Sequence, residues 1–379
     1  YKSSLLNLKY LRDLDENNKI VLQVNYTDSP YAYDSGGLKI SEVEEDRRQS
    51  RKNNFDYDTY EKVRHVKTGF SWKHLNDNNS FFDSYFFYQK RDFNSKLPFN
   101  YGGIIFLERD YYGIGTKYSK TFVSANKTRT VTLGIEHTNQ HDDRKRFKNN
   151  LGDQGEKTFD QIEKFKNTGV YLINQTEYES GLLFRYGVRF DDNKIGTDSE
   201  EFISLNKLNP SLGLSYSIND SNNVYFSAGT SFETPTLNEL SNNPNGNGLN
   251  KNLDASSSVN YEIGWRKSAS NLLLQATAYL INTDNEILPY EIEEFPGKNF
   301  YRNVGSTRRY GIELSSQLLF SNGKLNLSYT NSKNLFKDFN LNGNDLKDLS
   351  LPGIPDQILD IELIFDLSKG QSLSISNRL

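Results

Sequence analysis

Between Gly181 and Asp191 the chain alternates strictly. Leu182, Phe184, Tyr186, Val188 and Phe190 fall on one side of an extended backbone, with Arg185, Gly187, Arg189 and Asp191 on the other. Successive side chains of a strand point to opposite faces, so this run reads as a strand with one apolar and one charged face. An arginine facing lipid near a bilayer midplane costs ~2–4 kcal/mol, and two on one face assign that face to a watery lumen. The same period of two recurs in about sixteen runs along the chain. Ser211 to Asn219 sets Leu212, Leu214, Tyr216 and Ile218 against serines, and Arg129 to His137 sets Val131, Leu133 and Ile135 against Thr130, Thr132, Gly134 and Glu136. Lys19 to Tyr26 and His65 to His74 follow the rule, whereas Phe81 to Gln89 is aromatic on both faces and leaves its orientation open.

Two of these runs show how they connect. Val259, Tyr261, Ile263 and Trp265 oppose Asn260, Glu262, Gly264 and Arg266; after the polar turn KSASN, Leu272, Leu274, Ala276, Ala278 and Leu280 oppose Gln275 and Thr277. They form a hairpin of strands each about ten residues long, which suits a tilted crossing of a bilayer. Short turns at YESG, NDSNN, KSASN and SNGK alternate with long segments at 27–63, 91–110, 138–166, 192–207, 232–257, 282–307 and 333–356. Tight turns at one rim and long loops at the other are the habit of an outer-membrane barrel, and a propeller or sandwich does not sort its loops so. The expected fold is therefore all-β, an antiparallel transmembrane β-barrel spanning residues 1–379.

Composition removes the competitors. A mean hydropathy of −0.73 and the lack of any apolar run near the ~18 residues of a membrane helix exclude a helical membrane protein. The 24 tyrosines and 24 phenylalanines suit interfacial girdles. A net charge of −4 gives no nucleic-acid footprint. With no cysteine there is no disulfide, thiolate metal site or cysteine nucleophile. Ser231 and the other serines lack a histidine at a matching strand end, and no phosphate-binding glycine loop is present, so no enzyme is expected.

Four linked phrases then carry a resemblance. SFETPTLNEL, the run NLDASSSVNYEIGW, ATAYLINTDNEIL and NVGSTRRYGIELS, in that order over roughly a hundred residues, resemble the C-terminal half of the barrel of TonB-dependent outer-membrane receptors. The family's usual Leu-x-Pro-Glu phrase reads Leu253, Asp254, Ala255, Ser256 here. Ser29 to Asn53 further resembles the first long loop of the ferric-citrate-like branch. The resemblance implies a 22-stranded barrel in the bacterial outer membrane, surrounded by lipid, importing a ferric chelate or siderophore with energy from periplasmic TonB. It also implies an N-terminal plug upstream of Tyr1 and further strands beyond Leu379, so that this chain is expected to be the middle of a longer protein. A passive porin and a TonB-dependent importer of glycans or cobalamin are the alternatives.

Ferric chelates are commonly anionic, and arginine pairs bidentately with carboxylate oxygens. Arg144 and Arg146, with His141, are the candidate ligand contacts at the start of a long loop, and Arg91, Arg109, Tyr111 and Tyr112 flank another. His137, His141, Asp142 and Asp143 are of the right types for a metal, but Arg144, Lys145 and Arg146 follow at once and would repel a cation. No metal and no cofactor is expected.

Overall fold

The computed structural model describes residues 1–379 except 78, 200, 247, 296–297, 342–343 and 369. One antiparallel sheet of sixteen strands dominates it, each strand paired with its neighbours in sequence. The first half comprises β1 (Lys2–Asp13), β2 (Asn18–Tyr33), β3 (Tyr60–Asp77), β4 (Ser80–Lys96), β5 (Ile104–Ser124), β6 (Lys127–Asn150), β7 (Asp153–Tyr178) and β8 (Leu182–Thr197). The second comprises β9 (Ile203–Asn219), β10 (Asn222–Glu233), β11 (Ser256–Ala269), β12 (Leu272–Tyr290), β13 (Phe300–Phe320), β14 (Gly323–Asp338), β17 (Gln357–Asp366) and β18 (Ser372–Arg378). A small ribbon of β15 (Asn340–Leu341) and β16 (Asn344–Asp345) sits in the β14–β17 connection, and three short helices, α1 (Ile40–Asp46), α2 (Lys52–Asp56) and α3 (Leu237–Ser241), sit in others. Among the described residues β1 and β18 each pair on one side only.

The alternation read from the sequence sets the two faces. Leu133, Ile135, Tyr186, Phe190, Leu212, Leu214 and Ile263 are all exposed on the outer face, Ile263 to 60%. The inner face carries Arg185, Arg189, Glu136, Glu262 and the serines. Phe81 to Gln89, ambiguous in sequence, is settled by its neighbours: Phe82 and Phe86 lie exposed outside, while Tyr85 and Phe87 lie inside against the backbone of β5 at Gly115 and Gly113.

Aromatic rings lie flat on the inner wall because glycine opposes them. A Cβ on Gly134 would stand 2.2 Å from Cζ of Tyr171, its cross-strand partner. One on Gly264 would stand 2.4 Å from the ring of Tyr225, whose hydroxyl reaches on to donate to Glu262 Oε1 at 2.6 Å. Each pair keeps a bulky side chain out of the lumen.

One rim carries connections of a few residues and the other carries those at 34–59, 97–103, 198–202, 234–255, 291–299 and 339–356. Four expected loops are corrected. Segments 91–110, 138–166, 192–207 and 282–307 are mostly strand, and β6 and β7 run as one hairpin to the turn at Leu151 and Gly152. The reason is a change of solvent. The outer face of β6 turns from Leu133 and Ile135 to His137, Asn139, His141, Asp143 and Lys145, so apolar alternation stops at the lipid boundary while the hydrogen-bond ladder continues into water.

Two outcomes follow, both for the full-length protein folded in lipid or detergent. Ile263→Arg on the outer face should cost about 2–4 kcal/mol in a urea-dependent folding equilibrium, and Ser227→Arg, inside and opposite Glu262, less than about 1 kcal/mol, because opposite charges across a strand pair attract. Gly134→Val should displace Tyr171 and cost about 1–3 kcal/mol, while Gly213→Ala, whose new Cβ would meet nothing closer than 3.9 Å, should leave the unfolding midpoint unchanged.

Candidate functional site

At the long-connection rim the inner face of β4 to β7 carries a row of charge. Arg91 of β4 stands opposite Arg109 of β5, Arg109 opposite Asp142 of β6, and Asp142 opposite Glu163 of β7. Arg144 and Arg146 occupy the next two inward positions of β6, since residues two apart share a face. Arg109 meets Asp142 with two parallel bonds, Nε to Oδ1 at 2.8 Å and Nη2 to Oδ2 at 2.6 Å. Arg144 Nε donates to both oxygens of Glu163 at 3.0 and 3.1 Å. Both carboxylates are fully buried.

Two of the four arginines are left over. Arg91 packs over the ring of Phe93 at 5.3 Å, and its buried Nε has no hydrogen-bond partner. Burial, then the neighbouring Arg109, holds its guanidinium below the usual range. Arg146 is 6% exposed and lies over Phe159 at 5.9 Å. Burial pushes the Glu163 carboxyl up, against the pull of Arg144. Two of the belt's four arginines are thus ion-paired with its two buried carboxylates, and Arg91 and Arg146 make no ion pair among the described residues, Glu61 of β3 acting on Arg91 only from a distance.

The β10–β11 connection, 234–255, folds inward over this belt. It starts with a capping box, in which Thr236 Oγ1 accepts from Glu239 N at 3.2 Å and Glu239 Oε2 accepts from Thr236 N at 2.7 Å. Leu237, Leu240, Leu249 and Leu253 then bury themselves with Ile195 of β8, against Phe165 of β7, Ile287 of β12 and Tyr301 of β13. The side chain of Asn238 accepts a hydrogen bond from Arg144 Nη1 at 3.3 Å. This small apolar core ties both sides of the mouth together.

The seven residues chosen from sequence are divided by the strand period. Arg91, Arg109, Tyr111, Arg144 and Arg146 share the inner face, with Tyr111 packed on Phe87 at 5.0 Å. His141 and Tyr112 do not join them: His141 pairs with Asp110, and Tyr112 is exposed with Ile114 on the outer face. All seven lie on strands rather than on loops, because the strands extend past the lipid boundary. His137, His141 and Asp143 point outward and Asp142 inward, so they share no coordination sphere. Glu163, Asn238, Thr158, Phe159 and Lys298 also stand here, and no motif in the sequence marks them. Counting back from the turn at 151–152 places Gln161 opposite Asp142; irregularities between Arg146 and Asn149 shift the register and bring Glu163 there instead.

Replacing one partner of a buried pair strands the other charge, at about 3–5 kcal/mol. Glu163→Gln in the full-length protein should therefore lower stability in urea by roughly 3 kcal/mol, and the double replacement Arg144→Met with Glu163→Leu should recover most of it, as a double-mutant comparison by unfolding will read.

A family profile described as TonB dependent receptor-like, beta-barrel matches residues 6–369. Solved structures share the fold. The ferric citrate transporter FecA in its unliganded form superimposes with a TM-score of 0.80 over 97% of this chain and 55% of its own, at 19% identity. The ferric-catecholate import receptor Fiu from K12 E. coli gives 0.76 over 99% and 63%, at 14% identity. A copper transporter, OprC, gives 0.72 over 99% and 58%, at 14% identity. The chain spans about 55–63% of the length of these proteins, and at such identities the likeness speaks for the fold.

Proposed function

This chain belongs to the TonB dependent receptor-like β-barrel family, and from that premise we propose that it forms the wall and outer mouth of a bacterial outer-membrane receptor that imports a ferric chelate or siderophore with energy relayed by TonB. The observation that carries the choice of cargo is the belt at the mouth. Arg91, Arg109, Arg144 and Arg146 face the lumen, and among the described residues the belt's ion pairs engage Arg109 and Arg144 alone; guanidinium left unpaired on a low-dielectric wall attracts an anionic ligand. Neighbours of the same fold include a ferric citrate transporter, a ferric-catecholate import receptor and a copper transporter, which supports a cargo set by such side chains rather than by the barrel.

The rest of the machinery lies outside this chain in the proposal. Among the described residues β1 and β18 each keep one unpaired edge, and in lipid such backbone groups cost several kcal/mol each. Further strands from the same longer protein close the barrel between them, and a plug fills the polar interior and receives the pull of TonB. Orientation follows: the short-turn rim faces the periplasm and the long-connection rim the outside.

Cells producing the full-length protein, with and without TonB, should take up radiolabelled iron supplied as ferric citrate or as one of a panel of siderophores only when TonB is present. Uptake independent of TonB would indicate a passive pore instead. In the same assay Arg91→Gln with Arg146→Gln should lower uptake of an anionic chelate at least tenfold and leave a neutral one within about twofold, a difference of ~1.4 kcal/mol or more.

A further inference from the structure

Beside the belt, where the β4–β5, β10–β11 and β12–β13 connections meet the tips of β6 and β7, lies a cavity of about 80 Å³. Tyr101, Arg146, Thr158, Phe159, Lys298 and Phe300 are among the residues that line it. Lys298 Nζ lies 5.3 Å from the centre of the Phe295 ring and 4.8 Å from that of Phe300, and Tyr101 packs on Phe295 at 5.2 Å. Among the described residues neither Arg146 nor Lys298 makes a direct ion pair or side-chain hydrogen bond, although Glu163, held by Arg144, attracts Arg146 from a distance. The buried Thr158 Oγ1 is likewise without a partner.

A site lined by two cations and an unpartnered hydroxyl, with no carboxylate among its lining residues, is unfavourable as it stands. A buried guanidinium beside a half-buried ammonium favours a counter-charge. Burial pushes Lys298 down to about 8, helped by Arg146, and pushes Arg146 down to about 10, helped by Arg144. The aromatic rings around them keep the local dielectric low, which strengthens any ionic hydrogen bond formed there. A volume of this order holds a few waters or one small oxyanion.

We propose that this cavity binds a single small oxyanion group, a carboxylate, phosphate or sulfate, between the Arg146 guanidinium, the Lys298 ammonium and the Thr158 hydroxyl. The anion would join the tip of β6 to the β12–β13 connection and so fasten connections from opposite sides of the mouth. Two sources share this chemistry. A free ion would act as a structural staple; a carboxylate arm of an imported chelate would make the cavity a ligand subsite, and that second source alone rests on the transport reading above.

Binding is also tied to protonation. The groups that face Lys298 are Arg146 from β6 and Tyr101 from the β4–β5 connection, with Thr158 and Phe159 from β7; the β10–β11 connection contributes Ser241, Asn243, Pro244 and Gly246, none of them charged. A bound anion favours the charged ammonium, so affinity is flat while Lys298 is already protonated and falls by up to tenfold per pH unit once pH rises past about 8.

The test is isothermal titration of the full-length protein in detergent with sodium sulfate, whose charge is constant through this range. One saturable site is expected, weakened at least tenfold in Lys298→Gln and in Arg146→Gln and unchanged in Lys333→Gln, which removes a lysine paired elsewhere with Asp356. The decline above pH 8 should vanish in Lys298→Gln. No saturable sulfate binding, or equal binding by both variants while gel mobility shows them folded, would overturn the proposal. Competition between ferric citrate and sulfate would identify the chelate arm as the source, and sulfate binding without competition would identify a free ion. Absence of sulfate binding in the unsubstituted protein, with its TonB-dependent uptake intact, would overturn the cavity proposal and leave the transport reading standing.

Discussion

In hydrocarbon a backbone N–H or C=O has no water to bond, so every one must be met by another strand, at several kcal/mol for each failure. The rest of this structure depends on that constraint. It requires a ladder in which each strand follows its neighbour without interruption from β1 to β18, and it makes connections short at one rim, where nothing else is asked of them. It also fixes the side chains: once the ladder is laid, alternate residues meet lipid or lumen, and a two-residue register slip preserves face while a one-residue slip reverses it. The slip near Arg146 and Asn149 uses this freedom, moving Glu163 into place beside Arg144 without turning it outward.

Past the lipid boundary the constraint relaxes, and there the molecule spends its charge. The β6–β7 hairpin continues in water with a polar outer face, and its inner face holds the pairs Arg109–Asp142 and Arg144–Glu163. Buried pairs between Arg109 and Asp142 and between Arg144 and Glu163 give no large net gain in stability, because desolvation offsets their attraction. They hold their partners in fixed geometry, and they leave Arg91 and Arg146 unmatched beside them. The β10–β11 connection packs its leucines over the same wall and ties Asn238 to Arg144, so the electrostatics of the mouth and its apolar core are one construction.

The fold was legible because its signal is local. Leu182 to Asp191, Val259 to Arg266 and Leu272 to Leu280 state their faces outright, and the structure keeps all three assignments. The phrases around SFETPTLNEL and YEIGW pointed to the family that the profile match also gives. The length of the strands was not legible, since residues 138–150 lose apolar alternation while remaining in the ladder. The candidate site was half legible. The inward arginines are marked by residue type, while the parity of β5 and β6 puts His141 and Tyr112 on the opposite face. Glu163 and Lys298 could not have been found, because one depends on an irregular register and the other on a connection that reaches across the mouth.

The most direct measurement of this account uses the lack of cysteine in the chain. Single replacements Leu133→Cys, Ile135→Cys, His141→Cys and Lys145→Cys sample the outer face of β6 from the lipid zone to its tip. In intact cells producing the full-length protein, a membrane-impermeant maleimide should label His141→Cys and Lys145→Cys and leave Leu133→Cys and Ile135→Cys unlabelled. Labelling at Ile135→Cys, or protection at both His141→Cys and Lys145→Cys, would contradict a barrel wall that leaves the membrane near His137 and continues as strand into water.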